Sequence, residues 1–180
     1  KLNSKITDAY YNRGFAKAKL EDHKEAIEDY NKVIELNPNS ADVYFRRGLS
    51  KTHIQNDTGA IKDFTKTIEL DPNNPNPYFQ RGRLKEEREE YKEAIKDYTK
   101  TIKLNPEMTG VSEVYFNRGF SKGMLNNFKG AIEDYSKVIE LEPEWGGAYG
   151  KRAGAKLILK DYRGAIKDFS KYIESNSERA

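Results

Sequence analysis

A phrase of 34 residues returns five times along this chain, and that recurrence restricts the fold more than any other property of the sequence. Its clearest copy is YFNRGFSKGMLNNFKGAIEDYSKVIELEP, from Tyr115 to Pro143. With positions in the period numbered as slots 1–34, the copies run over residues 7–40, 41–74, 75–108, 112–145 and 146–179, after a lead-in at residues 1–6. Slot 8 is Gly14, Gly48, Gly82, Gly119 and Ala153, and slot 20 is Ala26, Ala60, Ala94, Ala131 and Ala165. Small residues at both places let two antiparallel helices approach closely. Slot 4 is always Tyr, slot 28 is always Ile, and slot 24 is Tyr30, Phe64, Tyr98, Tyr135 and Phe169. Four copies close with Pro38, Pro72, Pro106 and Pro143, each of which bars the preceding residue from the helical region. Each copy therefore predicts two helices with a break near slots 15–18, and residues 1–180 a single array. One pair cannot bury its own apolar stripe, so neighbouring pairs must cover it.

The slot-8 Gly, slot-20 Ala, slot-24 aromatic and slot-32 Pro on this period resemble the tetratricopeptide repeat over nearly the whole chain. The resemblance implies an all-α fold, an α-α superhelix built as a right-handed solenoid. It also implies a concave groove lined by the first helices that holds a peptide or helix of a partner protein. Departures are local. Thr109, Gly110 and Val111, at 109–111, lengthen the third junction and read as a tolerated surface insertion, the alternative being a local change in superhelical rotation that divides the groove in two. Tyr172 stands at slot 27, where the other copies have Val or Thr, and Ser175 and Ser177 replace Leu and Pro. A bulky Tyr with a polar tip predicts that the array ends there, uncapped, so that either the chain is cut short at that point or another molecule covers it, self-association through that end included.

Charge is plentiful but balanced: 32 Lys+Arg against 29 Asp+Glu leave a net charge of +3, too little for a nucleic-acid or membrane footprint. No apolar run is long enough to span a bilayer, so no membrane insertion is expected. The chain holds no Cys and two His, neither at ligand spacing with another, so no metal or other cofactor is expected. No phosphate-binding Gly loop or nucleophile elbow occurs, and the chain reads as a non-enzyme. Its first residue is Lys1, which fits a piece of a longer chain or a mature form after signal removal.

Two cation series recur at i, i+4: Arg13, Arg47, Arg81, Arg118 and Arg152 at slot 7, and Lys17, Lys51, Lys85, Lys122 and Lys156 at slot 11. Slot 23 of every second helix offers a carboxylate, Asp29, Asp63, Asp97, Asp134 or Asp168. The slot-7 and slot-23 residues are expected to form a structural ladder of ion pairs, because a cation facing the helix seam without a partner would be costly. The rival is a basic stripe for RNA.

In the family, slots 2, 5, 9, 12 and 13 face the groove. Slot 5 supplies Tyr11, Phe45, Phe79 and Phe116, and slot 9 supplies Phe15, Leu49, Arg83 and Phe120. Arg83, Glu86 and Glu87 put charges of both signs between these apolar walls. The clamp with which some family members grip two-carboxylate tails is matched only by Asn117 and, approximately, by Lys151, so an acidic tail held by Arg83 and Lys151 is a minor reading. The leading reading is a scaffold for a protein or peptide ligand. A nucleic-acid-binding helical array and a regulatory segment of a larger enzyme are the alternatives.

Overall fold

The computed structural model describes residues 2–177, among which there are ten α-helices and no strand. Contacts divide the chain into two compact units, Lys1–Leu84 and Lys85–Ala180. In the first, α1 (Leu2–Lys19) pairs with α2 (His23–Leu36) and α3 (Ala41–His53) with α4 (Asp57–Leu70), while α2 packs on α3. Most of α5 (Pro75–Glu87) also belongs there. In the second, α6 (Tyr91–Leu104), α7 (Val111–Met124), α8 (Phe128–Leu141), α9 (Gly146–Ile158) and α10 (Tyr162–Ser177) pack each on the next.

One expectation is corrected at this level. The helix α1 starts at Leu2 and so includes the described part of the lead-in. Val111 is not a surface insertion: it opens α7 and is only 7% exposed, while Gly110 before it takes φ +80°. A longer junction is thus absorbed by one left-handed glycine and one added core side chain. The last residues assigned to the fifth copy, 178–179, lie outside the described residues.

The break inside each copy has one cause. Slot 15 adopts a left-handed backbone every time, at Glu21, Gln55, Glu89, Asn126 and Lys160, with φ between 60° and 65°. The next amide then donates back to the slot-11 carbonyl at 2.8–3.0 Å (Asp22 to Lys17, Asn56 to Lys51, Glu90 to Lys85, Asn127 to Lys122, Asp161 to Lys156). That is the six-to-one bond of a Schellman ending, and it turns the chain for the second helix. Asn56, Asn127 and Asp161 then cap the second helix by accepting the slot-19 amides of Gly59, Gly130 and Gly164.

Packing between the two helices follows the small residues. The slot-20 alanines are 0–1% exposed, and Tyr30, Phe64 and Tyr98 no more. Each such ring contributes roughly 1.5–3 kcal/mol by leaving water. A Cβ added at Gly48 would come within 2.7 Å of the Phe64 ring, and one at Gly14 or Gly119 within 3.0 Å of Tyr30 or Tyr135, so the rings occupy the space the glycines vacate.

Candidate peptide-binding faces

The slot-23 carboxylates are 2–4% exposed. Arg13 reaches Asp29 through Nε and Nη2 at 2.9 and 2.6 Å, and Arg47 reaches Asp63 at the same distances. Arg118 grips Asp134 at 2.9 and 2.7 Å, and Arg152 grips Asp168 at 2.8 and 2.7 Å. Lys17, Lys51, Lys85, Lys122 and Lys156 bring Nζ within 2.8–2.9 Å of the same carboxylates, Asp97 being the one on Lys85. Arg81, in the first unit, donates through Nη1 to Thr65 Oγ1 at 3.0 Å and lies over the Tyr78 ring. A planar fork on one side and a point charge on the other satisfy both oxygens of a buried carboxylate. Asp29 is consequently held below its ordinary pKa of 3.8, chiefly by the Arg13 hydrogen bonds. For Asp168, burial pushes upward, but Arg152 and Lys156 together outweigh it and the carboxyl titrates low.

These cations are turned toward the seam, and slots 5, 6, 9 and 13 of the first helices lie apart from the ion pairs. The slot-5 aromatics are half-buried, and three of them pack on the slot-24 ring of their own copy: Tyr11 on Tyr30 at 6.4 Å, Phe45 on Phe64 at 5.7 Å, Phe116 on Tyr135 at 5.6 Å. Phe116 is further covered by Trp145, stacked at 5.0 Å, and Phe79 by Arg83 at 6.0 Å. In the fifth copy slot 5 is Gly150, and the Tyr172 ring takes the space, 3.1 Å from where a Cβ would stand. Tyr172 therefore substitutes for a missing slot-5 ring, which its position near the chain end did not reveal.

Glu86 differs from its neighbours on α5, since its carboxylate accepts hydrogen bonds from Tyr98 Oη and Ser121 Oγ at 3.3 and 2.7 Å. It braces α6 and α7, whereas Glu87 is exposed in the second unit and Arg83 in the first. Asn117 is half-buried on α7.

Each unit carries a cleft at the same slots. In the first, Phe15, Lys19, His23, Tyr30, Arg46, Leu49 and His53 line about 170 Å³. In the second, Phe120, Met124, Phe128, Tyr135, Lys151, Gly154 and Ile158 line about 260 Å³. In both, slot 9 is a Phe roofed by the slot-6 cation of the following copy: Arg46 stands 4.8 Å over Phe15, and Lys151 5.2 Å over Phe120. The floors differ. In the first unit His23 and His53 stack at 4.1 Å with rings 10° from parallel, and His23 Nδ1 is buried with no hydrogen-bond partner. Burial, and then the neighbouring His53, hold His23 below its ordinary 6.5 against the pull of Glu21 and Asp22. In the second unit the corresponding places are Phe128 and Ile158, and Gly154 leaves the mouth open, since a Cβ there meets nothing within 4 Å. A further cleft, about 640 Å³, lies elsewhere, between the α8–α9 turn and Ser175 and Asn176 of α10. No helix among the described residues is long and apolar enough to cross a membrane, and no group of three or more His, Cys, Asp or Glu among them is placed to hold a metal ion.

Paired helices with a Schellman break and a small-residue seam define a tandem helix-hairpin repeat protein. Residues 7–40, 64–96 and 112–144 each match a model described as the tetratricopeptide repeat, and the chain belongs to that family. Its fold class is the α-α superhelix of solved structures that it resembles. A crystal structure of MamA protein superposes with a TM-score of 0.90 at 25% identity, covering 98% of this chain and 94% of that one. MamA 41-end from Desulfovibrio magneticus RS-1 does so at 0.87 and 17% identity, covering 96% of each. YrrB, described as a TPR protein with an unusual peptide-binding site, matches at 0.84 and 19% identity over 92% of this chain and 84% of its own. Comparison with curated protein sequences gives no match.

Proposed function

We infer that the chain is a non-catalytic interaction scaffold, a single array over residues 1–180 whose first helices hold a peptide or helix of a partner protein. The observation that carries this reading is the pair of slot-equivalent clefts, each an aromatic wall under a cation that no slot-23 carboxylate engages. Clefts lined mainly by apolar side chains with a few placed polar groups are what ligand recognition requires. Lys19 and Arg46, the latter also paired with Asp42 at 2.9 Å, suit the first to an acidic side chain. Phe120, Met124, Phe128 and Ile158 suit the second to an apolar side chain, with Lys151 beside it for an acidic neighbour. The description of YrrB as peptide-binding is consistent with this use of the fold. A nucleic-acid reading is weaker, because its slot-7 and slot-11 cations already face buried carboxylates.

The test is selection of peptides from a random display library on the purified chain, followed by titration of the winners. Phe15→Ala is expected to weaken acidic peptides, and Gly154→Leu, which fills open space, to exclude apolar ones. Winners that bind both variants as tightly as the parent chain would place recognition elsewhere.

A further inference from the structure

Three places recur as a set in this array: slot 24, slot 12 of the same copy and slot 10 of the next. In the second unit they are Tyr98, Glu86 and Ser121, and one oxygen of the Glu86 carboxylate accepts from both hydroxyls, at 3.3 Å from Tyr98 Oη and 2.7 Å from Ser121 Oγ. In the second copy the set is Phe64, Thr52 and Leu84. Phe64 and Leu84 pack together in the core with nothing to donate, and Thr52 turns its hydroxyl to the Gly48 carbonyl at 3.1 Å. Donors and acceptor are thus present together or absent together.

The first copy breaks that rule. Its set is Tyr30, Ala18 and Ser50, so both hydroxyls stand where Tyr98 and Ser121 stand, but slot 12 carries no acceptor. Tyr30 and Ser50 are 1% and 2% exposed, and all three residues line the 170 Å³ cleft of the first unit. Neither hydroxyl has a hydrogen-bond partner among the described residues, and His23 Nδ1 in the same wall has none either. Burial pushes the Tyr30 phenol up to about 12 against the pull of Arg46, which keeps it a proton donor. Buried donors without an acceptor are costly, and Lys19 and Arg46 line the same cleft. In the fourth copy Tyr135 is joined by Gly123 and Ala155, so that cleft offers one hydroxyl where the first offers two.

We propose that the first cleft is a carboxylate site: a glutamate side chain of a partner peptide takes the place that Glu86 fills in the second unit, accepting from Tyr30 Oη and Ser50 Oγ while Lys19 and Arg46 balance its charge. The proposal rests on the peptide-scaffold reading and names the atoms that do the holding. Glu86 is the internal copy of the ligand, and Ala18 is the place where the chain leaves that group to another molecule. A carboxylate, which only accepts, suits two hydroxyl donors, and its charge strengthens both bonds.

Amide chemical-shift titration of the chain with N-acetylglutamate N-methylamide, and with the glutamine analogue as a neutral isostere, tests it. The glutamate probe is expected to shift Lys19, Arg46 and Ser50, and the glutamine probe to leave them in place. Tyr30→Phe, a residue already at slot 24 in Phe64 and Phe169, is expected to weaken the probe about tenfold, the size of one hydrogen bond to a charged group. Ala18→Glu supplies the carboxylate from within. It is expected to abolish the response and raise the melting temperature, and to lose that gain when Tyr30→Phe and Ser50→Ala are added. A response to glutamate that ignores Tyr30→Phe overturns this placement and leaves the acidic reading of the cleft standing. No response in the parent, or an equal one to glutamine, removes both. An Ala18→Glu chain that melts no higher than the parent also overturns the proposal.

Discussion

A carboxylate buried between two cations is worth most where its ionised form is assured. Asp168 is 2% exposed and Asp29 3%, and both titrate below the ordinary carboxylate value of 3.8. A depressed folded-state pKa means that the native protein binds fewer protons than the unfolded chain as pH falls through that region. The stability from these pairs is therefore whole above pH 3.8 and is lost as pH drops through the lower folded values. Asp168→Asn is expected to lower stability at neutral pH by roughly 3 kcal/mol, the low end for breaking a buried pair, because Arg152 and Lys156 keep some contact with water. It should also flatten the acid limb of a melting-temperature profile between pH 5 and pH 2, and an unaltered limb would show that Asp168 does not carry it. At this scale the slot-23 Asp opposite slot-7 Arg was legible from spacing alone. The bond from the third Arg nitrogen, Nη1, to slot 25 of the preceding copy was not, because slot 25 holds Asn31, Thr65, Thr99 and Ser136, a set with one shared property, an acceptor oxygen, and no shared identity. Nor was the His23–His53 stack, whose members lie 30 residues apart at different slots.

Among elements, the slot-15 turn is the costliest recurring choice. A non-glycine residue in the left-handed region costs roughly 1–2 kcal/mol relative to the right-handed one. Five copies accept it because the bond to the slot-11 carbonyl ends one helix and aims the next. Glycine would make the same turn without that cost. Lys160→Gly, at an exposed site with φ 65°, is expected to raise stability by about 0.5–1 kcal/mol, read as a shift in urea midpoint at constant slope. A fall in the midpoint would mean that the flexibility gained by the unfolded chain outweighs the relief of the turn. Helix number and pairing could be read from the apolar slots and Pro stops, whose periodicities are physical requirements of packing. The turn type could not, since only Asn126 among Glu21, Gln55, Glu89, Asn126 and Lys160 favours positive φ. Val111 was misjudged for a related reason: an added residue in a polar junction looks like loop until a left-handed Gly110 redirects it inward.

For the molecule as a whole, stability in a tandem array is nearly a sum of what each pair holds and what it shares with its neighbours. Because Arg152 takes Ser136 as Arg118 takes Thr99, the junctions within the second unit are chemically interchangeable. Excision of residues 112–145, one full period, would leave Arg152 facing Thr99, a hydroxyl in place of a hydroxyl. The shortened chain is expected to unfold cooperatively with full helical circular dichroism per residue and a smaller urea slope, whereas removal of half a period should abolish the transition. The guanidinium that bonds backward at every step thus makes length a free parameter: whole units can be gained or dropped by recombination with no new joint to invent, while any cut out of phase is rejected.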